Sequence, residues 1–144
     1  MKSKCIFGKI NKISEEATKL IIKKIKDEQL PILQNHTTLF HILPEDGSKL
    51  LFNEIASIWK ISKSSLSDII NKYENQGLIK KCVCDEDKRS VYISLTTEAV
   101  YIKQKLEIME KEVLDLKLKD FEEEQRRAFE DNIDKALNNI EKMS

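Results

Sequence analysis

A mainly α-helical chain carrying one small β-hairpin is the fold class this sequence predicts, and three observations predict it. Apolar residues recur at helical three- and four-residue spacings near both ends, as in Ile6, Ile10, Ile13, Ala17 and Leu20. Charged residues make up 35% of the 144 and aromatics only 6%, a balance that favours solvated helices over sheets. Between residues 60 and 97 a polar-faced helix, a glycine stop and two short alternating segments follow one another, so the strands are confined to one hairpin.

The elements follow in order. The first stripe, Ile6 to Leu20, predicts an N-terminal helix. Pro31 is expected to open a short helix running to Leu43, stopped by Pro44 and the turn Glu45-Asp46-Gly47. Leu50 or Leu51 to Trp59 reads as a second helix of the middle region, with Leu51, Ile55, Ile58 and Trp59 turned inward. Ser62 is placed to cap the next helix, since its hydroxyl can accept from a first-turn amide. That helix, 63–76, buries Leu66, Ile69, Ile70 and Tyr73, and Gly77 closes it in a left-handed conformation. Leu78–Val83 and Ser90–Leu95 then alternate as the two arms of a hairpin. Ala99, Ile102, Leu106, Met109, Val113 and Leu116 predict a long helix over 97–119, about 35 Å at 1.5 Å per residue. Phe129, Ile133, Ala136, Ile140 and Met143 carry the same spacing to the C-terminus.

Bulk properties bound the function. The chain is long enough for one domain with a proper core. No apolar run approaches the roughly 18 residues needed to span a bilayer, and the N-terminus has no continuous apolar stretch of the kind that directs secretion. Cys5, Cys82 and Cys84 are an odd set without a disulfide spacing, which suits a reducing cytoplasm. Net charge is zero but unevenly laid out: residues 1–30 hold eight lysines against four carboxylates, whereas the stretch from 111 onward is acidic on balance. Local positive patches are therefore compatible with a neutral whole.

The order helix, stop, hairpin is that of a winged helix-turn-helix. With the core stripe of helix 63–76 turned inward, Lys63, Ser64, Ser67, Asp68, Asn71 and Lys72 lie on its other faces. Short polar side chains there let a helix approach base edges: Asn71 suits a two-point pairing with adenine, and Ser64 or Ser67 a base or a phosphate. Ser62 and Ser65, with Ser64, add hydroxyls and amides at the helix start. At the hairpin tip stands Asp87-Lys88-Arg89; the Asp87 carboxylate is expected to brace the Arg89 guanidinium for entry into a narrow minor groove. Lys80, Lys81 and Lys88 are candidate phosphate contacts. A merely solvated helix face and an ordinary exposed hairpin are the bland readings of the same residues.

Residues 50–107 resemble the DNA-binding core of the MarR family of bacterial transcriptional regulators. The carrying residues are Glu54-Ile55-Ala56, the Ser62-to-Ser67 opening of the next helix, Gly77-Leu78-Ile79, Asp87-Lys88-Arg89 and Leu95-Thr96. The resemblance implies a homodimer on a (pseudo)palindrome, usually a repressor, with effector pockets between its DNA-binding and dimer regions. It therefore implies three regions: 31–96 as the winged helix-turn-helix, flanked by dimerisation helices in 1–30 and 97–144. The dimer face would draw on Ile6, Ile10, Ile13 and Ala17 from the first helix, and on Met109, Val113, Leu116, Phe129, Ile133 and Ile140 from the last two. Packing of the terminal helices within one chain is the alternative. Asp68 stands where the family often has a basic residue, so it either reads a cytosine amine or repels phosphate.

The expected partners are double-stranded DNA, a second copy of the chain and a small-molecule effector, with no membrane. No metal or cofactor is expected. His36 and His41 diverge by about 140° on one helix and make poor joint ligands, and no nucleophile–base pair or phosphate-cradling loop marks an enzyme. Cys82 and Cys84 share a strand face, and Cys5 lies near three lysines; each carries a redox reading beside the plainer one of an ordinary thiol. A winged helix used only to assemble with other proteins is the competing function.

Overall fold

The computed structural model describes residues 5–83, 86, 87 and 89–143. The elements are α1 (Ile6–Asp27), a 3₁₀ turn (Gln34–His36), α2 (Thr37–Ile42), β1 (Leu50–Leu51), α3 (Phe52–Trp59), α4 (Lys63–Asn75), β2 (Ile79–Val83), β3 (Val91–Leu95), α5 (Thr97–Lys117) and α6 (Glu123–Glu141). They form two compact units, one up to Glu110 and one from Lys111 onward.

In the first unit the core is a continuous apolar cluster to which every helix from α1 to α5 contributes. Leu39 and Phe40 from α2, Ile55 from α3 and Leu66, Ile70 and Tyr73 from α4 are among its fully covered members, as is Ile93 from the sheet. From α5 come Ala99, Ile102, Leu106 and Met109, at the three-four-three spacing that keeps them on one stripe. Phe40 meets the Tyr73 ring edge-on with centroids 5.3 Å apart, a geometry that adds to plain burial.

The sheet has three antiparallel strands in the order β1-β3-β2. Pairing of β2 with β3 runs from Ile79 opposite Leu95 to Val83 opposite Val91 and makes the expected hairpin. Leu50 and Leu51, expected to begin a helix, instead pair with Ile93 and Tyr92 as an edge strand, and α3 starts at Phe52. Ile58, expected inward, is exposed; Ile55 is buried as expected, and Ala56 beside it. Only eight residues long, α3 is ended by Lys60 at a φ of 60°, so it has one inward turn to offer. Pro31 does not open a helix. The chain stays non-helical through Leu33, Ile32 is buried, and the Leu33 N–H donates to the Tyr73 hydroxyl at 3.2 Å rather than to a helical carbonyl.

Both ends of α4 are built as the sequence predicts. The Ser62 hydroxyl accepts from the Ser65 N–H at 3.1 Å and donates to the Ser65 hydroxyl at 2.9 Å. At the other end Gly77 takes a φ of 75°. Its N–H bonds the Glu74 carbonyl, and the Leu78 N–H reaches back to Tyr73 at 2.9 Å. That pair of bonds is a Schellman closure, with the buried Leu78 and Tyr73 as its apolar contact. Thr96 then couples this stop to the next start. Its hydroxyl donates to the Gly77 carbonyl at 2.8 Å and accepts from the Ala99 N–H in the first turn of α5.

In the second unit α6 begins with the Glu122 N–H donating to the Gln125 side chain at 2.9 Å. Arg126 pairs with Asp115 at 2.6 Å, and Phe121 meets Phe129 edge-on at 5.7 Å. Ile133, Leu137 and Ile140 of α6 are exposed. No helix among the described residues is long and apolar enough to cross a membrane.

Candidate nucleic-acid interface

The buried side of α4 is Leu66, Ile70 and Tyr73. Opposite it, Ser64, Asp68, Asn71 and Asn75 are exposed at spacings of four, three and four, which lines them up along one outward stripe. Asn75 continues the stripe one turn beyond the expected residues; the same spacing, carried to the end of the helix, would have included it. Lys63 is exposed at the helix start, Ser67 half-buried and turned toward the hairpin side. Ser67 there lines a cavity of about 220 Å³ together with Ile70, Lys81, Val91, Ile93 and Phe52.

Two lysines are less outward than expected. Lys72 is half-buried, with its ammonium 5.7 Å from the Tyr73 ring centroid. Lys81 on β2 reaches α4: its ammonium donates to the Asn71 side-chain oxygen and lies 3.3 Å from the Glu74 carboxylate. The hairpin is thereby tied to the outward face of α4 through a residue expected to contact phosphate. Asn71 and Glu74 are three apart and so flank one point on the helix, which is why a single ammonium meets both.

At the tip Asp87 and Arg89 are both exposed. The Asp87 carboxylate does brace Arg89, but through the backbone. One oxygen accepts from the Arg89 N–H at 3.0 Å and the other from the Ser90 hydroxyl at 3.1 Å. The Ser90 N–H adds a bond to the Asp87 carbonyl at 2.9 Å. This is an Asx-type turn, and it corrects the expected carboxylate–guanidinium pairing: a carboxylate two residues ahead of the arginine meets the main chain of the turn first. Lys88 lies outside the described residues, as does Cys84; Cys82 is exposed on β2.

Behind α4 lies a contact the sequence did not signal. The Tyr73 hydroxyl accepts from the Leu33 N–H and shares a hydrogen bond of 2.8 Å with His36 Nδ1. Burial, and then the charge of Lys72, hold the His36 pKa below its usual value, which favours the neutral ring. His41 bonds the Glu110 carboxylate at 2.9 Å and its pKa is raised. Each histidine has its own separate partner.

Of the residues expected at a dimer face, Ile6, Ile10 and Ile13 are 65%, 53% and 52% exposed, and Leu116, Ile133 and Ile140 are exposed as well. Ala17 and Phe129 are half-buried. Met109 and Val113 differ: each is 2% exposed within the single chain, Met109 as part of the core of the first unit. The stripe that Met109 shares with Ala99, Ile102 and Leu106 is already covered there.

A helix with a polar outward stripe, capped by serine, stopped by glycine and followed by a hairpin with an arginine at its tip, defines a winged helix-turn-helix. Residues 30–90 match the model of the MarR family. The fold is shared with solved structures. A MarR transcriptional regulator from Methanosarcina mazei Go1 superposes with a TM-score of 0.84 at 19% identity, over 96% of this chain and 98% of that one. Wild-type MarR from E. coli in its apo form gives 0.76 at 14%, over 95% and 99%. The MepR–DNA complex from S. aureus gives 0.74 at 22%, over 95% and 99%. No curated protein matches the sequence.

Proposed function

We propose that the chain binds a (pseudo)palindromic DNA operator as a homodimer and represses transcription there until a small-molecule or redox effector releases it. Residues 31–96 form the DNA-binding region, and the terminal segments 1–30 and 97–144 supply the dimer contacts. In this reading α4 enters the major groove with Ser64, Asp68 and Asn71 toward base edges, while Ser62, Lys63, Ser65 and Ser67 meet backbone at its start. Arg89 enters the adjacent minor groove, and Lys72 and Lys88 add to the local positive potential. The observation that carries the proposal is the outward stripe of α4 lying next to a hairpin whose tip is stiffened under Arg89. That one of the similar folds is a MepR–DNA complex supports it.

The test is selection of bound duplexes from a random library, followed by titration of the winner in rising salt with Arg89→Ala alongside. A palindromic winner, a steep salt slope and a loss of about 1–3 kcal/mol for Arg89→Ala at unchanged helicity are expected. Unchanged affinity in Arg89→Ala would remove the wing from the interface. No enrichment under reducing conditions and across effector screens would favour a protein-assembly module instead.

A further inference from the structure

Asn71 is the polar group on α4 best placed for a two-point base contact, and the base it reads depends on which of its ends is available. Pairing with adenine requires the carboxamide to accept from the adenine amine through its oxygen while donating to N7 through its nitrogen. Here the oxygen already accepts from Lys81. The assignment of oxygen and nitrogen is fixed by chemistry, because an ammonium only donates and so cannot meet the amide nitrogen. Lys81 is itself anchored from the other side by Glu74 at 3.3 Å, so its charge is held beside Asn71. An ammonium against the amide oxygen repels a second approaching donor such as the adenine amine. What remains outward is the carboxamide NH₂, two donors with a positive charge behind them. In the major groove that array matches a base edge made of acceptors only, and guanine, with O6 and N7, is the purine that offers one.

One turn away on the same stripe the exposed Asp68 presents the opposite chemistry, a group that only accepts. A carboxylate takes a hydrogen bond from the cytosine amine. Donor and acceptor positions three residues apart thus complement the two edges of G·C pairs, and it is the Asn71 donor array that disfavours adenine.

We infer that Lys81 is a positioning residue for sequence readout: it fixes the Asn71 carboxamide as a donor, so that α4 reads guanine, not adenine, at the base facing Asn71. The inference rests on the proposed DNA-binding function and deepens it. Lys81 acts from the hairpin without touching the base, so the wing sets specificity in the major groove as well as contacting its own.

The experiment is parallel selection of bound duplexes from one random library by the full chain and its Asn71→Ala, Lys81→Met and Lys81→Arg variants. Circular dichroism confirms that each is folded. Asn71→Ala identifies the base position that depends on Asn71, as the one where preference flattens. At that position the natural chain should prefer guanine over adenine by about tenfold or more, the size of one good two-point contact. Lys81→Met, which keeps the stem and removes the donors, should shift the preference toward adenine there and leave the other positions unchanged. Lys81→Arg should keep guanine. An adenine preference in the natural chain, or a guanine preference that survives Lys81→Met, would overturn the inference while leaving DNA binding in place. Failure of the natural chain to enrich any duplex would overturn the proposed function, and this inference with it.

Discussion

At the scale of single residues, His36 and His41 place opposite limits on stability. His41 gains the Glu110 hydrogen bond, which raises its pKa above the ordinary 6.5; burial lowers it, the Glu110 charge raises it further, and Lys103 and Glu107 act in opposite senses. A histidine with a raised folded pKa contributes fully below the unfolded value and loses that contribution as pH climbs through the folded one. The His41–Glu110 tie between α2 and α5 is therefore complete below about pH 6.5 and fades above it. His36 runs the other way. Burial and Lys72 lower its pKa, so the stability of its neutral form is complete above 6.5 and is lost as pH falls through the lowered folded value. Thermal unfolding followed across roughly pH 5–8 should therefore pass through a maximum near neutrality. In His41→Gln the decline on the alkaline side should flatten, and in His36→Gln the decline on the acid side. Parallel curves for all three proteins would mean that neither contact bears weight.

At the scale of elements, α4 is held by its two ends, and each end has its own expected cost. Ser62→Ala removes the acceptor for the Ser65 N–H and should cost about 1 kcal/mol in urea unfolding. Gly77→Ala meets no atom within 4 Å, so nothing clashes, and its cost, also about 1 kcal/mol, comes from the left-handed backbone alone. If Gly77→Ala were neutral, the Schellman closure would not depend on that φ. These two residues were legible in the sequence because capping is local: a serine before an apolar run and a glycine after it state the helix limits by themselves. The polar stripe of α4 was legible for the same reason, through its spacing. The edge strand was not. Leu50 and Leu51 are held by β3, some forty residues later, and two apolar residues ahead of α3 look the same as its first turn. Nor was the role of Lys81, since its contact with Asn71 exists only once the hairpin has folded back on the helix. Asp87 was read as a partner of the wrong part of Arg89, because residue spacing says that a carboxylate and an arginine are near but not that the backbone N–H is nearer.

At the scale of the whole molecule, the single chain leaves apolar surface uncovered at its N-terminal helix. Ile6, Phe7, Ile10 and Ile13 are each more than half exposed, while the same helix further along is anchored by the buried Ile25 and by Ile21 against the core. One helix thus has a half that the chain covers and a half that it does not. Uncovered aliphatic and aromatic residues in contiguous turns mark an association surface, since each is worth about 1.5–3 kcal/mol on full burial. A second copy of the chain is the occupant proposed here, and the asymmetry of α1 makes the proposal separable from folding. Deleting the residues before Ser14 removes all four exposed side chains and none of the core. The truncated chain should keep its helicity and its cooperative unfolding transition. Its self-association, followed by sedimentation over a concentration series, should weaken by at least about a hundredfold, equivalent to about 3 kcal/mol. Operator affinity should then become steeply concentration-dependent, because two half-sites held by separate chains no longer reinforce one another. A truncated chain that stays a tight dimer would move the interface elsewhere, to Leu116, Ile133 and Ile140, where single substitutions to charged residues would locate it.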